Sequence, residues 1–234
     1  MRIDLALCQR THPLYVNFRD QHYITNNGCH GQQLHYLVII DGNLHGILSG
    51  ASAVYGVKAR DTFFGIDNQK RRVQLNSIIN NVVYRLVDAP KNAASQVLAQ
   101  WRKQIAADWE HLYGVKVAGF ETFVIEGSLN DREEVCTDRT RTGALYLADN
   151  WEMLGITAGN TKTHSVKEGN GGMGTAHKRK QVCQKLIFAR KVKGVPLAES
   201  YTATWQDPKA QKAVQLRRRE LLARDSELVA QFSK

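Results

Sequence analysis

The chain has 234 residues, 43% hydrophobic and 23% charged, an ordinary globular mix that excludes wholesale disorder. It is long enough to bury a sizeable core without staples, and no run reaches the ~18 apolar residues a membrane span needs. The net charge of +10 is uneven: residues 160–234 hold 16 Lys or Arg against 6 Asp or Glu, whereas residues 1–159 hold 16 of each.

Residues 34–50 read as a hairpin. Leu34 to Ile40 is a β-rich apolar run, Asp41-Gly42-Asn43 supplies turn residues, and Leu44 to Leu48 returns. Ser77 to Val87 is a second strand, rich in β-branched residues. Asp88 to Asn92 breaks it. A helix follows, with Ala93, Val97, Trp101, Ile105 and Trp109 four residues apart and Gly114 as its stop. Val115 to Ile125 is the next strand, and Glu126 to Arg141 a long polar loop. Gly143 to Leu154 reads as a short helix stopped by Gly155. Residues 159–180 are Gly-rich, basic and expected to be flexible. Cys183 to Val192 supplies a last strand. Asp207-Pro208 opens a final helix with Val214, Leu221, Leu228 and Phe232 along one side. The order predicts a mixed α/β fold with a central sheet.

Four places could carry chemistry. A strand feeds a helix N-terminus at Pro90-Lys91-Asn92-Ala93-Ala94-Ser95, where free N–H groups favour an anion; the alternative is a plain helix start capped by Asn92. In Phe120-Glu121-Thr122-Phe123, alternation puts Glu121 and Phe123 on one face and Phe120 and Thr122 on the other. A carboxylate inside an aromatic strand is costly unless used or paired. It is either a general base with a raised pKa or the partner of an arginine such as Arg85. Tyr146 and Asn150, four apart, would share a helix face, with the tyrosine hydroxyl able to protonate a leaving group; the alternative is simple packing. Asn80 and Asn81 interrupt an apolar strand and point to opposite faces, so one must be buried and bonded or line a cleft.

The four cysteines, Cys8, Cys29, Cys136 and Cys183, form no C-x-x-C pair, which excludes a zinc ribbon and a thioredoxin motif. Free thiols, and a start at Met1 to Arg10 that lacks the regions of a secretory leader, predict a cytoplasmic protein. Histidines crowd the first 45 residues without metal-ligand spacing, so no metal is expected. No Walker, nucleophile-elbow or dinucleotide fingerprint is present. The basic last third points to nucleic acid, the alternative being a solvated face and tail.

The ordered set of segments resembles the DruA family of Druantia anti-phage components. It rests on His22-Tyr23, the hairpin ending in Gly46 to Gly50, Ala53 to Asp61, and Asn80-Asn81. It continues through Pro90 to Leu98, Asp108-Trp109, Tyr113-Gly114, Glu121 to Val124, and Gly143 to Gly155 with Asn150-Trp151. The same skeleton looks like Mom, the DNA-modifying protein of phage Mu, and through it the GNAT acyltransferase fold. The resemblance implies a GNAT-like mixed central sheet flanked by helices, with a basic C-terminal extension ending in a helix. The resemblance covers about residues 20–160; the chain is read as a core over 1–160, a flexible basic loop over 161–180, and a final strand and basic helix over 181–234, with the role of the tail resting on its charge alone. The strands at 77–87 and 115–125 would splay around an acyl donor, with its phosphates at the 90–95 turn.

The expected activity is transfer of an acyl or aminoacyl-derived group to a base in DNA. Glu121, Tyr146 and Ser95 would be catalytic. Asn81, Asn92, Arg85, Asn150, Trp151, His22 and Tyr23 would bind donor or substrate, with Trp151 stacking on a flipped base. Lys178, Arg179, Lys180, Arg217, Arg218 and Arg219 would contact phosphates. At the turn, Ala-Pro-Lys-Asn-Ala-Ala departs from the Arg/Gln-x-x-Gly-x-Gly/Ala of enzymes that use acetyl-CoA. The donor is therefore left as acyl-CoA or aminoacyl-tRNA. The rival expectation is a non-catalytic nucleic-acid-binding module of an anti-phage or transposon system; a weaker one is an enzyme acting on tRNA or a small amine.

Overall fold

The structure is a computed structural model that describes residues 1–24, 31–128, 140–157, 160–163, 178–181, 184–200 and 207–232. In chain order the elements are β1 (Ile3–Cys8), α1 (Pro13–Asp20), β2 (Gln33–Ile40), β3 (Asn43–Ser52), α2 (Lys58–Phe64), α3 (Arg71–Leu75), β4 (Ile78–Leu86) and α4 (Ala93–Tyr113). Then come β5 (Gly119–Val124), α5 (Ala144–Ala148), β6 (Glu152–Ile156), β7 (Asn160–Thr163), β8 (Lys178–Gln181), β9 (Leu186–Lys191) and α6 (Pro208–Ala230). Seven strands form one mixed sheet in the order β1-β2-β3-β4-β5-β9-β6, and β7 and β8 form a separate ribbon. The β4–β5 pair is parallel and its neighbours are antiparallel.

Local chemistry explains the elements read correctly. Asp41 and Gly42 both adopt positive φ, 48° and 81°, which matches the twist of a tight hairpin between β2 and β3. α4 ends at Gly114 in the left-handed region, and its stripe of Val97, Trp101, Ile105 and Trp109 is fully buried. That stripe packs with Tyr36, Val38, Leu48, Ile79 and Phe120 to make the main core on one face of the sheet. α1 covers the other face through Tyr15, against Leu37, Ile39, Ile47 and Val83. α6 begins as expected: the Asp207 carboxylate accepts from the Lys209 N–H at 2.9 Å, and Pro208 follows it. Its Val214 and Leu221 join the first core, and Leu228 and Phe232 join the second. Asp225 also accepts from the Leu7 N–H at 2.7 Å, covering part of the exposed edge of β1.

The structure corrects several expectations. The helix at 143–154 stops at Ala148; Asn150 turns left-handed (φ 57°), and Glu152–Ile156 is strand β6. The reason is a missing partner in the sequence view, because β6 needs β9, some 35 residues later, to pair with. The strand expected over 115–125 is shorter, 119–124. The ends of the 161–180 segment pair as the β7–β8 ribbon, and the intervening stretch lies outside the described residues. β9 sits inside the main sheet, between β5 and β6. Cys8 is free and buried, and burial pushes its thiol up to about 12; the other three cysteines lie outside the described residues. No described helix is long and apolar enough to cross a membrane.

Candidate functional site

A bulge in β4 opens the site. β3 pairs Ser49 with Val83 but Gly50 with Asn81, so Val82 is the extra residue. The side chain of Asn81 holds this kink by donating to the carbonyls of Ser49 (3.1 Å) and Val83 (3.2 Å). Pairing between β4 and β5 runs from Ile78–Gly119 to Asn81–Thr122 and ends there. Beyond that point the two strands part, and a pocket of about 380 Å³ fills the gap. Val82, Tyr84, Arg85 and Leu86 of β4 face Thr122, Phe123 and Val124 of β5 across it.

Tyr146 closes the pocket from α5. Its hydroxyl donates to Asn81 Oδ1 at 2.8 Å, and Thr122 Oγ1 lies 3.5 Å away while donating to the Asn81 carbonyl at 2.9 Å. The ring is held edge-on by Trp151 and stacked on Phe188, with centroids 5.1 and 5.5 Å away. Gly143 makes this clamp feasible: it starts α5 at φ 75°, and a Cβ there would lie 2.2 Å from the Phe188 ring. Burial, with the nearby Tyr23, raises the Tyr146 hydroxyl well above the ordinary phenol range. It keeps its proton throughout physiological pH. The C-terminal end of α5 is fixed by Asp149, whose carboxylate takes a two-pronged contact from Arg102 (2.6 Å each) and accepts from Trp151 Nε1 (2.8 Å).

The outer wall is aromatic and cationic. The His22 and Tyr23 rings lie 4.4 Å apart and tilted by 36°, and the Arg141 guanidinium lies 4.1 Å above the Tyr23 ring. Arg85 donates to Gln21 Oε1 at 2.9 Å beside them. Of the residues named from sequence, the fold brings Asn81, Arg85, Tyr146, His22 and Tyr23 together around this pocket.

The others lie elsewhere. Glu121 points to the opposite face of β5 and is fully buried against Arg60, its ion-pair partner in place of Arg85. It also accepts from the Val54 N–H at 2.8 Å. Burial pushes its carboxyl up to about 7, with Arg60 pulling the other way. Trp151 is 2% exposed, packed on Phe120 and Tyr146, so it cannot stack on a base. Asn150 is exposed and outside α5. Asn92 precedes α4 in the left-handed region but makes no side-chain cap, and neither it nor Ser95 lines the pocket. Arg217 and Arg218 face inward: Arg217 donates to the Leu112 carbonyl, and Arg218 to the Gln33 carbonyl and the Tyr113 hydroxyl. Arg219 is exposed on α6, and Lys178, Arg179 and Lys180 lie on β8.

Sequence reasoning missed Thr122 and Arg141 as parts of the site. Only Thr122 carried a signal, because alternation placed it opposite Glu121. The described residues hold no cluster of three or more metal-ligating side chains.

The family described as "Druantia protein DruA" matches residues 2–187. No curated protein matches the sequence. Solved structures similar to the chain, each at 9% identity, include an aminoglycoside 6'-acetyltransferase type Ii (84% of this chain, 100% of that one, TM-score 0.40). Others are a GNAT family acetyltransferase from Elizabethkingia anophelis with acetyl-CoA bound (81% and 98%, TM-score 0.42) and an N-acetyltransferase from Staphylococcus aureus Mu50 (82% and 99%, TM-score 0.41).

Proposed function

The chain belongs to the DruA family, and from that premise we propose that it is a GNAT-like transferase that places an acyl group on a base in DNA. The observation that carries this reading is the Tyr146 hydroxyl: buried, protonated, hydrogen-bonded to Asn81, and open to a pocket between two diverging parallel strands. Rotation about its C–O bond redirects the proton from Asn81 Oδ1 into the pocket, where a leaving group would take it.

The pocket suits an acyl-CoA. Beyond Asn81, β4 has no partner on its β5 side among the described residues, so its backbone N–H and C=O groups face the gap. A slender, amide-bearing arm lies along such an edge as an added strand. Tyr84 lines the pocket and donates to the Ala94 carbonyl at 2.7 Å, tying the first turn of α4 beside it. The N-terminal N–H groups of that 21-residue helix would serve the donor's phosphates, although Asn92 and Ser95 themselves do not line the pocket. An acyl-CoA supplies an activated acyl carbon; the chain supplies alignment, exclusion of water and the Tyr146 proton.

The acceptor is read from the outer wall and the charge. A base within a duplex must be flipped out to reach the pocket. Tyr23, backed by Arg141, takes the stacking role that the buried Trp151 cannot. The basic β7–β8 ribbon and the net charge of +10 favour the DNA backbone.

The test is to express the protein in bacteria, digest their DNA to nucleosides and search by mass spectrometry. A new nucleoside mass that disappears with Tyr146→Phe supports the reading. Purified protein that modifies neither host nor phage DNA in the presence of mixed acyl-CoAs overturns it.

A further inference from the structure

A second cavity, about 1270 Å³, lies away from Tyr146 and shares no lining residue with the first pocket. It is built where the ends of β2 and β3 meet α3, the end of α4 and the start of α6. Its size exceeds the ~300–1,000 Å³ of ordinary small-molecule pockets.

The lining has a distinctive chemistry. Six carboxamide side chains face it, among them Gln32, Asn76 and Gln215, together with three arginines, Arg10, Arg72 and Arg218. No Asp or Glu is among the lining residues. On α6, Gln211, Val214, Gln215 and Arg218 follow helical spacing, so one face of the helix forms the wall. Arg218 is held in place by the Gln33 carbonyl and the Tyr113 hydroxyl, at 3.1 and 2.6 Å. Gln32 Oε1 is buried without a hydrogen-bond partner. Such an acceptor carries a desolvation cost that a ligand N–H would relieve. At the rim, Tyr55 is 61% exposed, and the neighbouring Arg71 donates to its carbonyl and lies 5.7 Å from its ring.

These features match the parts of one ligand. An exposed ring stacks on any base, carboxamides pair with base edges through both donors and acceptors, and arginines hold phosphate. The absence of lining carboxylates removes the groups that would repel it. The field inside is positive: His35, on the cavity wall, is pushed down to about 3, by burial first and then by Arg10 and Arg218.

We propose that this cavity binds an unpaired nucleotide, with its base on Tyr55 and against the carboxamides and its phosphate at Arg10 and Arg72. Its source is either a single strand or a free nucleotide. The proposal is independent of acyl transfer, because it concerns a separate cavity and is read by binding alone.

The experiment is fluorescence polarisation of the full-length protein with a dye-labelled single-stranded adenine oligonucleotide. The double variant Tyr55→Ala with Arg72→Ala should weaken binding about tenfold or more, from lost stacking and one lost phosphate contact. Both side chains are exposed, so an unchanged melting temperature should accompany the loss. Displacement by adenosine monophosphate at concentrations matching the strand's own nucleotides identifies a free nucleotide as the source; displacement only by longer strands identifies a strand. The proposal fails if the parent does not bind, if the double variant binds equally well, or if a duplex competes as strongly as the single strand.

Discussion

Glu121 and Thr122 are adjacent in the chain and lie on opposite faces of β5, each beside buried polar groups, yet the two faces do different work. On the Glu121 side, the buried charged groups meet protein partners. Arg60 reaches Glu121, Asp61 and the Val54 carbonyl, and Asp61 also pairs with Arg71. Nearby on the same face, Tyr15, Ser49, His35 and Gln33 form a hydrogen-bond chain with links of 2.7, 2.9 and 3.1 Å that reaches the wall of the second cavity. On the Thr122 side, the chain Thr122–Asn81–Tyr146 ends at a hydroxyl on a pocket wall. Burial of polar residues is common to both. What separates structure from chemistry is whether the last group in the chain faces protein or space.

The sharpest way to break this comparison is to cross it. Tyr146→Phe should cut acyl transfer by ~10²–10⁴-fold, the ordinary range for a general acid, while costing stability only about 1 kcal/mol for one lost hydrogen bond. Arg60→Met should do the reverse. It leaves the Glu121 and Asp61 carboxylates facing each other without their shared cation and should cost ~3–5 kcal/mol. Thermal melting and transfer per folded molecule, measured on both variants, check the pair. Equal losses of stability in the two would erase the distinction drawn here.

Glu121→Gln sharpens the point on a smaller scale. Its carboxyl already sits up at about 7, because burial outweighs Arg60, so a neutral amide should cost only ~1 kcal/mol. The pH dependence carries a sign. The unfolded carboxyl ionises near 4.5 while the folded one holds its proton to about 7, so its contribution to stability falls as pH rises through that window. His35 acts in the opposite direction. Its folded value is down near 3 and its ordinary value is near 6.5, so its contribution is full above 6.5 and is lost as pH falls toward 3. Between about 4.5 and 6.5 the two slopes offset. Denaturant melts across pH should therefore show a flatter parent than either variant: Glu121→Gln exposes the acid loss, and His35→Gln exposes the opposite trend.

The same contrast shows what the sequence could and could not reveal. Features set by neighbours in the chain were legible: the Asp41-Gly42 turn, α4 from Ala93 to Gly114, the Asp207 cap, and the opposed faces of Glu121 and Thr122. Tyr146 and Asn81 were picked as separate residues, and the fold joins them across 65 positions. What depended on distant partners was not legible. The pairing of Glu121 with Arg60, the insertion of β9 beside β5, and the packing of Trp151 on Phe120 are all long-range. No local pattern distinguishes Glu152–Ile156 as a strand when its only partner among the described residues is β9. The bulge at Val82 was invisible for the same reason, since a bulge is a mismatch between two strands and not a property of one.

The smallest effect expected concerns α6, which spans both faces. Asp207→Ala removes a capping hydrogen bond and should cost about 1 kcal/mol. The loss is confined to the first turn, because Leu221, Leu228 and Phe232 hold the rest of the helix to both cores. That first turn leads directly into Gln211, Val214 and Gln215 on the wall of the second cavity. Oligonucleotide binding should therefore weaken slightly while transfer at Tyr146 stays unchanged. A fall in transfer of the same size as the fall in binding would mean that the two cavities act as one unit, with α6 as the link.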